Sequence, residues 1–584
     1  MNKNILAAIV LLPATVLAQD LHKDIEASRE IVPVEREVNR LSVSPAINLP
    51  ALPAVRLNQS ERAVSAKITP EITFLQPAAY ADTLYTSPYR GYVMGGISPY
   101  PFDGMLAAGY RITDTDRVRL SGWMQYDTDN YKRSDRNLFW RNQTVSAGMD
   151  LRWAAGRESY FKAAVDYTFD HYNNYHAWLD DKGQLIIPHY WQSFNMFNFD
   201  TRWYSNVQSL QYNGGFRYNH SAMARPSRVL PSLDPEVYKP LRENTFDFSG
   251  TATLPFDDNS NVGLDADIAI IGMSRYTTIA PDLTGAADYV ALNNASTTRG
   301  LVTLLPNYSY KSLMFTANVG ARLQFNIKSG KVFHVSPEVL LGWNPSPMLA
   351  VSAHLTGGVE TNSLERMYGV TPYLNPSVAY DFSNVPLASE LKVTLGPWHS
   401  AYVELFGGYS RANKWLMPTD LHGVYSEVNA MFRPVDMRGF HFGVETGYTY
   451  RRLGSVTLRY TAAPSNGYDK GYYLWRDRAR HVLDVTLRAH PIQHLDVEVS
   501  YQLRACRRLM DRYTVNAGSP EVSTITTSRN LGNISNLNLG ATYHLFEPLS
   551  VFVRAQNILN RAATDISLRP NQGFNVMLGG SYQF

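Results

Sequence analysis

Residues 117–127, RVRLSGWMQYD, alternate in polarity at every position except Trp123. Val118 and Leu120 are apolar, whereas the intervening Arg119 and the later Gln125 are polar. Successive side chains of a β-strand point to opposite faces of a sheet, so a period of two predicts a strand with one apolar and one polar face. The pattern decides the fold class because it recurs along most of the chain.

The alternation continues between Tyr89 and Phe584, for example at 161–170, 264–270 and 495–504. A soluble β-sandwich also alternates, so the period alone leaves a secreted all-β protein open. Two further features favour a barrel in a membrane. The polar face repeatedly carries full charges, as a wet lumen allows, and short connections alternate with long ones.

The connections also indicate which ends of the strands meet each side of the membrane. Tight turns are expected on the periplasmic side, at 113–116, 155–158 and 490–494. Long loops are expected on the outer side, at 171–191, 220–243, 274–300 and 360–388. Tyrosines near strand ends, such as Tyr167 and Tyr172, are expected in aromatic girdles. We therefore predict an all-β fold, a transmembrane antiparallel outer-membrane β-barrel with an even number of strands, about 18–22 and towards the upper end.

The N-terminal region differs from the rest of the chain. Residues 1–18 have the features of a signal peptide, in which Lys3 supplies the positive charge, an apolar stretch follows, and Ala18 ends the cleavage site. Residues 19–73 contain no Phe, Tyr or Trp and several prolines amid mixed charges. Such a composition predicts an extended, partly disordered periplasmic segment, acting as a short plug or a docking arm. The barrel is assigned to 74–584.

Composition excludes several other classes of protein. The 54 basic and 51 acidic residues nearly balance, which argues against a nucleic-acid-binding protein. One cysteine, Cys506, excludes a disulfide framework and a cysteine-based metal site, and its parity places it inward among arginines. His220 and Ser221 are adjacent, so on a strand they face opposite sides and cannot share a proton. We predict no enzyme activity, cofactor or metal, and expect Asp496 and Glu498 in a lumenal charge ladder.

The last strand carries a feature of its own. An apolar face alternates with Asn575, Met577 and Gln583 up to the final residue. This pattern resembles the signal that the barrel assembly machinery recognises in outer-membrane proteins. The apolar face consists of Phe574, Val576, Leu578, Tyr582 and Phe584.

Residues 536–584 resemble the C-terminal end of TonB-dependent outer-membrane receptors. The matching pieces are VFVRAQNILN at 551–560, which resembles the penultimate strand and its turn, and GFNVMLG at 573–579, which resembles the closing strand. The resemblance implies a large barrel and energised uptake of a scarce, bulky ligand.

The chain departs from that family before the barrel. The family's plug domain is much longer than the segment between Gln19 and Tyr89. The candidate TonB box, Ile31, Val32, Pro33 and Val34, is the one apolar stretch that fits such a motif. Without a full plug, the lumen is filled by the N-terminal segment, by infolded loops, by a partner, or not at all.

Two sets of residues are candidates for ligand binding. One is a group of arginines at the outer mouth, where an alternative is a structural charge ladder: Arg476, Arg478, Arg480, Arg504 and Arg508. The other follows Phe169, where an alternative is an interfacial aromatic girdle: His171, His176, Trp178 and Trp191. Arg507, on the outward parity, is expected to meet lipid phosphates.

We therefore expect a barrel of TonB-dependent-receptor type that binds or transports a ligand across the outer membrane. The alternative is a plugless barrel acting as a structural or assembly subunit, with periplasmic or lipoprotein partners held by 20–73, or as a passive porin. Expected partners are outer-membrane lipid and lipopolysaccharide, the barrel assembly machinery, and either TonB or a lipoprotein, but no nucleic acid.

Overall fold

The structure is a computed structural model that describes residues 89–99, 102–133, 138–156, 158–174, 178–179, 185–186, 190–207, 210–223, 241–274, 276–281, 289–294, 297–328, 330–370, 381–419, 431–451, 453–463, 479–515, 523–561 and 572–584. The predicted signal peptide, the N-terminal segment and the domain boundary at residue 74 lie outside these ranges.

The described part of the chain is almost entirely β-strand. Its strands, in chain order, are β1 (Gly91–Pro99), β2 (Phe102–Asp114), β3 (Val118–Arg133), β4 (Leu138–Ala154), β5 (Ser159–Asn174), β6 (Trp178–Leu179), β7 (Leu185–Ile186), β8 (Tyr190–Val207), β9 (Leu210–Met223), β10 (Arg242–Asp257), β11 (Ser260–Met273), β12 (Tyr276–Pro281), β13 (Tyr289–Asn294), β14 (Thr297–Lys311), β15 (Phe315–Ile327), β16 (Phe333–Ser346), β17 (Leu349–Glu360), β18 (Ser383–Trp398), β19 (Ala401–Thr419), β20 (Met431–Tyr450), β21 (Gly454–Ala462), β22 (His481–Ile492), β23 (Leu495–Ala505), β24 (Arg507–Val515), β25 (Ser523–Leu531), β26 (Ile534–Phe546), β27 (Leu549–Gln556) and β28 (Asn575–Gln583). One helix, α1 (Leu364–Val370), lies between β17 and β18.

Within the described residues, one antiparallel sheet of 22 strands closes on itself. The closure joins β28 to β1, with Tyr92 opposite Gln583. Backbone hydrogen bonds between Gly91 and Phe584, at 2.8 and 2.9 Å, complete the seam. The predicted even-numbered barrel is confirmed, at the upper end of the expected range. The remaining strands form three separate hairpins, β6–β7, β12–β13 and β24–β25.

The two faces of the wall differ as the alternation predicts. Phe248 and Ile268 stand opposite each other on β10 and β11 and are 46% and 41% exposed on the outer face. The next pair, Ser249 and Asp267, faces the lumen. An apolar outer face over a polar interior is the surface of a membrane-spanning barrel, because every backbone group is paired within the closed sheet.

Short and long connections follow the predicted pattern. Tight turns join β2 to β3, β4 to β5 and β22 to β23, and the four predicted long loops follow β5, β9, β11 and β17. Three connections at the outer end are short, at 100–101, 134–137 and 328–332, which alternation of loop length alone does not predict. No helix in the described ranges is both long and apolar enough to cross a membrane.

One girdle assignment is wrong. Tyr167 is 43% exposed on the outer face, as predicted, but Tyr172 is 1% exposed and faces the lumen. The two residues are separated by five positions on β5, an odd number, so they point to opposite faces of the strand.

Candidate functional site

Strand β17 bends near its end, at a pair of glycines, before the chain enters the lumen. The register of β17 with β18 shifts between Thr356 and Gly358, and Gly358 has a φ of +152°. A Cβ on Gly357 would lie 2.8 Å from the carbonyl oxygen of Pro386, so a side chain there would collide with backbone. Both positions therefore require glycine.

Beyond this bend β17 stays paired with β18 as far as Glu360, but its pairing with β16 ends at Leu355, and a side chain takes the place of that partner. The Gln324 amide donates from Nε2 to the Val359 carbonyl at 3.2 Å and accepts from the Val359 N–H at 2.6 Å. Gln324 is 3% exposed on the lumenal face of β15. It holds the chain as it leaves the wall, since buried backbone polar groups need partners.

Two wall residues hold the start of helix α1, which we call the lumenal helix. Glu243 on β10 is fully buried, and its Oε1 accepts a hydrogen bond from the Leu364 N–H at 2.7 Å. Ser363 caps the helix, because its Oγ accepts from the Arg366 N–H at 3.2 Å. Arg299 on β14 donates from Nη2 to the carbonyl of Asn362 at 3.5 Å.

An apolar cluster packs the lumenal helix against the wall. Leu364 and Met367 are 0% and 2% exposed within it. Tyr368 stacks on Phe194 with ring centroids 3.7 Å apart, and its hydroxyl donates to Asp170 at 2.9 Å. The other members of the cluster are Phe194, Met223, Leu241, Met273 and Leu416.

Charged groups of the helix also contact the wall. Arg217 lies 3.4 Å from the Glu365 carboxylate. The Arg366 guanidinium lies 4.5 Å from the centre of the Trp415 ring on β19. Burial lowers the pKa of the Arg366 guanidinium, and the Glu360 carboxylate opposes that shift.

These contacts place the helix across the lumen. Tyr368 contacts β5 and Arg366 contacts β19. Around the ring of 22 strands, nine strands separate β5 from β19 on one side and eleven on the other. The two contact points are nearly opposite each other, so the lumenal helix narrows the passage at the outer half of the barrel.

A second lumenal feature lies at the periplasmic end. Four cations stand directly opposite one another on adjacent strands, and we call them the cation row: Arg119, Arg152, Lys162 and Arg202. The neighbouring positions on the outer face are Trp153, Phe161 and Trp203, which places the row on the lumenal face.

The members of the cation row have few acidic partners. Arg119 pairs with Asp114 at 3.1 Å, and Arg202 lies 3.5 Å from Asp200. Arg152 and Lys162 instead lie 5.0 and 5.5 Å from the ring centre of Tyr160. A row of like charges on a lumenal wall raises the local concentration of anions.

The predicted outer-mouth arginines are only partly brought together. Arg480 precedes β22 and Arg504 lies opposite Val482 on β23, both on the lumenal parity. Arg508 lies in β24, which pairs with β25 outside the barrel sheet, because Cys506 has a φ of +57° where β23 ends. Arg476 and Arg478 lie outside the described residues. Ligand binding by this group stays a prediction.

One expectation next to this group is wrong. Arg507 is predicted to meet lipid, but it is 1% exposed and donates from Nη1 to the Gly532 carbonyl at 3.1 Å. The error comes from extending the alternation of β23 through Cys506, the left-handed residue that follows its last residue. Cys506 is exposed, and its inward facing stays a prediction.

Two members of the predicted aromatic group, His171 on β5 and Trp191 on β8, lie on the outer face. The rings of His171 and Trp191 stack with centroids 4.6 Å apart, and His171 Nδ1 lies 2.8 Å from Ser193 Oγ. This placement matches the girdle alternative, while ligand binding stays a prediction. Trp178 belongs to β6, and His176 lies outside the described residues.

The closing strand has the predicted apolar outer face. Phe574, Leu578, Tyr582 and Phe584 are 47–52% exposed, and Val576 is half-buried. Recognition by the assembly machinery stays a prediction. The candidate TonB box at 31–34 lies outside the described residues.

The turn after β27 shows what the receptor-like motif does. Asn557 and Asn560 both have left-handed backbones, with φ of +45° and +47°. Asn557 Nδ2 donates to the Gln572 carbonyl at 2.9 Å, and Asn560 Oδ1 accepts from the Phe574 N–H at 3.0 Å. The two side chains join the turn to the start of the closing strand.

Sequence reasoning missed Glu243, Gln324 and the lumenal helix. The signal available for the helix was the pair Gly357–Gly358 followed by Ser363, a bend and then a helix cap. Among the described residues, no group of three or more His, Cys, Asp or Glu side chains is placed to hold a metal ion.

Comparisons with known proteins identify the fold. No protein-family model and no curated protein sequence matches the chain. The ferric enterobactin receptor PfeA of Pseudomonas aeruginosa, solved with enterobactin, is 10% identical, with a TM-score of 0.64 over 85% of this chain and 81% of its own. The siderophore receptor PirA of Acinetobacter baumannii is 12% identical, with a TM-score of 0.62 over 85% and 80%.

The ferripyoverdine receptor of the outer membrane of Pseudomonas aeruginosa, solved with ferripyoverdine, gives a similar result. It is 11% identical, with a TM-score of 0.60 over 85% of this chain and 72% of its own. At such low sequence identity, the structural similarity to these three receptors establishes the fold alone. It confirms, at that level, the resemblance to outer-membrane receptors that residues 536–584 indicate.

Proposed function

We propose that the chain is an outer-membrane receptor that binds a bulky ligand at the cell surface and moves it through its barrel. The observation that carries the proposal is the closed 22-strand barrel, whose likeness to three ligand-binding receptors covers 85% of the chain. The receptor would reach the cell outer membrane after cleavage of a signal peptide near Ala18. No catalytic step is part of the proposal.

The lumenal helix favours a barrel with a restricted passage rather than a passive pore. A barrel of this strand number encloses a wide lumen unless something fills it. Here an internal segment is bound to opposite walls by buried polar and apolar contacts. Such a constriction limits the free diffusion of solutes through the barrel.

Partners follow from the same proposal. Energised transport requires coupling to TonB, for which residues 31–34 are the candidate motif. Insertion would use the barrel assembly machinery, with β28 as its signal. A lipoprotein bound to 20–73 would indicate the structural-subunit alternative instead.

The direct test is to identify what the purified protein retains. Protein incubated with spent medium of its source bacterium is washed, denatured and analysed for released small molecules by mass spectrometry. We expect one class of compound that is retained by the full chain and lost when 275–296, within the connection between β11 and β14, is shortened to a turn. A full chain that retains nothing would contradict a receptor.

Single-channel conductance in planar bilayers provides the second test. The full chain is compared with a variant lacking 20–73 and with one in which 361–382 is replaced by a short glycine–serine linker. We expect the full chain to be nearly closed and the loop replacement to open it. A full chain as open as both variants would identify a passive pore.

A further inference from the structure

The outer face of β19 and β20 carries two arginines in direct register. Arg411 stands opposite Arg438, and both side chains are exposed. The preceding pair on the same face is Tyr409 and Phe440, and Phe440 is 58% exposed. We call Arg411 and Arg438 the arginine pair.

Like charges directly opposite each other destabilise a sheet, so this placement needs a compensating contact. Within the described residues, Arg411 Nε donates weakly to Asn413 Oδ1 at 3.4 Å, and neither arginine forms an ion pair. The nearby carboxylates bind elsewhere. Asp436 accepts from the Lys414 N–H at 2.8 Å, and Asp381 lies 3.2 Å from Lys414 Nζ.

The position of the arginine pair along the wall indicates what it meets. Tyr409 and Phe440 lie just below it, with their ring planes tilted and their centroids 4.7 Å apart, and Tyr448 marks the opposite end of the same face. Tyr448 lies eight positions after Phe440, which is about 26 Å along a strand and roughly 20 Å across the membrane after tilt. The arginine pair therefore lies just beyond the apolar band, at the level of the outer headgroups.

We propose that the arginine pair binds a phosphate group of a phosphorylated glycolipid, lipopolysaccharide, in the outer leaflet. Guanidinium groups bind phosphate through paired, charge-assisted hydrogen bonds, and two of them would share one phosphate group. The exposed side chains below, Phe440, Phe442 and Leu391, offer an apolar surface for the acyl chains. The bound phosphate would offset the repulsion between the two arginines.

The test uses the full chain in detergent and lipid A carrying two phosphate groups as the probe. Affinity is measured by native mass spectrometry for the wild type, the double variant R411Q/R438Q and the variant R411K/R438K. The matched control is R451Q, since Arg451 is a cation beside Tyr450 at the periplasmic turn. Heat-modifiable electrophoretic mobility verifies that each barrel is folded.

We expect R411Q/R438Q to bind lipid A about tenfold more weakly, which corresponds to the loss of a charge-assisted contact. R411K/R438K should retain part of the affinity because it keeps the charge, and R451Q should match the wild type. Dephosphorylated lipid A should bind the wild type and R411Q/R438Q equally. Unchanged affinity in R411Q/R438Q, or an equal loss in R451Q, would overturn the proposal.

Discussion

Glu243 on the wall accepts a hydrogen bond from the backbone N–H of Leu364, the first residue of the lumenal helix, at 2.7 Å. The two residues are 121 positions apart in the chain, and both are fully buried. A buried carboxylate that receives a helix N–H leaves a costly polar group behind if it is removed. This contact therefore fixes where the helix starts.

Replacing Glu243 with alanine should release the lumenal helix. The Leu364 N–H would lose its acceptor, at a cost of about 1–3 kcal/mol, and the nearby Arg299 would lose a neighbouring negative charge. We expect E243A to raise the open probability in planar bilayers, while E243Q, which keeps an acceptor oxygen, should stay closer to the wild type. E158A, at an exposed turn, is the control. Equal conductance of E243A and E158A would show that the contact does not hold the helix.

A side chain at Gly358, in the bend near the end of β17, should destabilise the segment that folds into the lumen. Gly358 has a φ of +152°, and a Cβ there would lie 3.0 Å from Gln324 Oε1. We expect G358A to lower the free energy of unfolding in urea by about 1–3 kcal/mol, the usual range for a strained backbone. G214A is the matched control, because a Cβ at Gly214 meets no atom within 4 Å. A G358A variant as stable as G214A would contradict the requirement for glycine at this bend.

The stack between Tyr368 and Phe194 should contribute a measurable coupling energy. Their centroids are 3.7 Å apart, in a cluster that links the helix to β8. A double-mutant cycle with Y368A and F194A should give a coupling of about 0.5–1.5 kcal/mol. Y368F removes only the hydroxyl contact to Asp170 and should lose less stability than Y368A. A coupling energy near zero would mean that the rings do not interact.

The barrel wall could be predicted from sequence because its signal is local. Along β23 the alternation places Glu498 and Asp496 in the lumen, and the structure pairs them with Arg488 at 2.9 Å and His544 at 2.9 Å. The predicted neighbours β22 and β23 are confirmed by their register. A period of two sets the facing of every residue until a left-handed residue interrupts it, as Cys506 does.

The lumenal helix could not be predicted in the same way. Its seven residues, LERMYGV, are too few for a helical period to stand out. What stabilises it comes from distant strands: Asp170 lies 198 positions from Tyr368, and Arg217 lies 148 positions from Glu365. Such contacts depend on the closure of the barrel, and no local pattern records them.

The cation row should make an open form of the barrel select anions. In the background of the 361–382 replacement, R152Q/K162Q removes the two cations that have aromatic neighbours. We expect the reversal potential in a salt gradient to shift towards cation selectivity, most strongly at low ionic strength, where screening is weak. R451Q in the same background is the control. An unchanged reversal potential would show that the row does not govern ion passage.

The turn after β27 should depend on asparagine for two separable reasons. Asn557 has a φ of +45°, and its Nδ2 donates to the Gln572 carbonyl at 2.9 Å within a site that leaves it 5% exposed. N557G relieves the backbone strain but loses the side-chain bonds, whereas N557A loses the bonds and adds about 1–2 kcal/mol of left-handed strain. We expect the thermal midpoint to fall in the order wild type, N557G, N557A, with G532A as a control because a Cβ at Gly532 meets no atom within 4 Å. If N557A and N557G melt together, the left-handed backbone is not what the motif requires, and the hydrogen bonds to the start of β28 alone explain it.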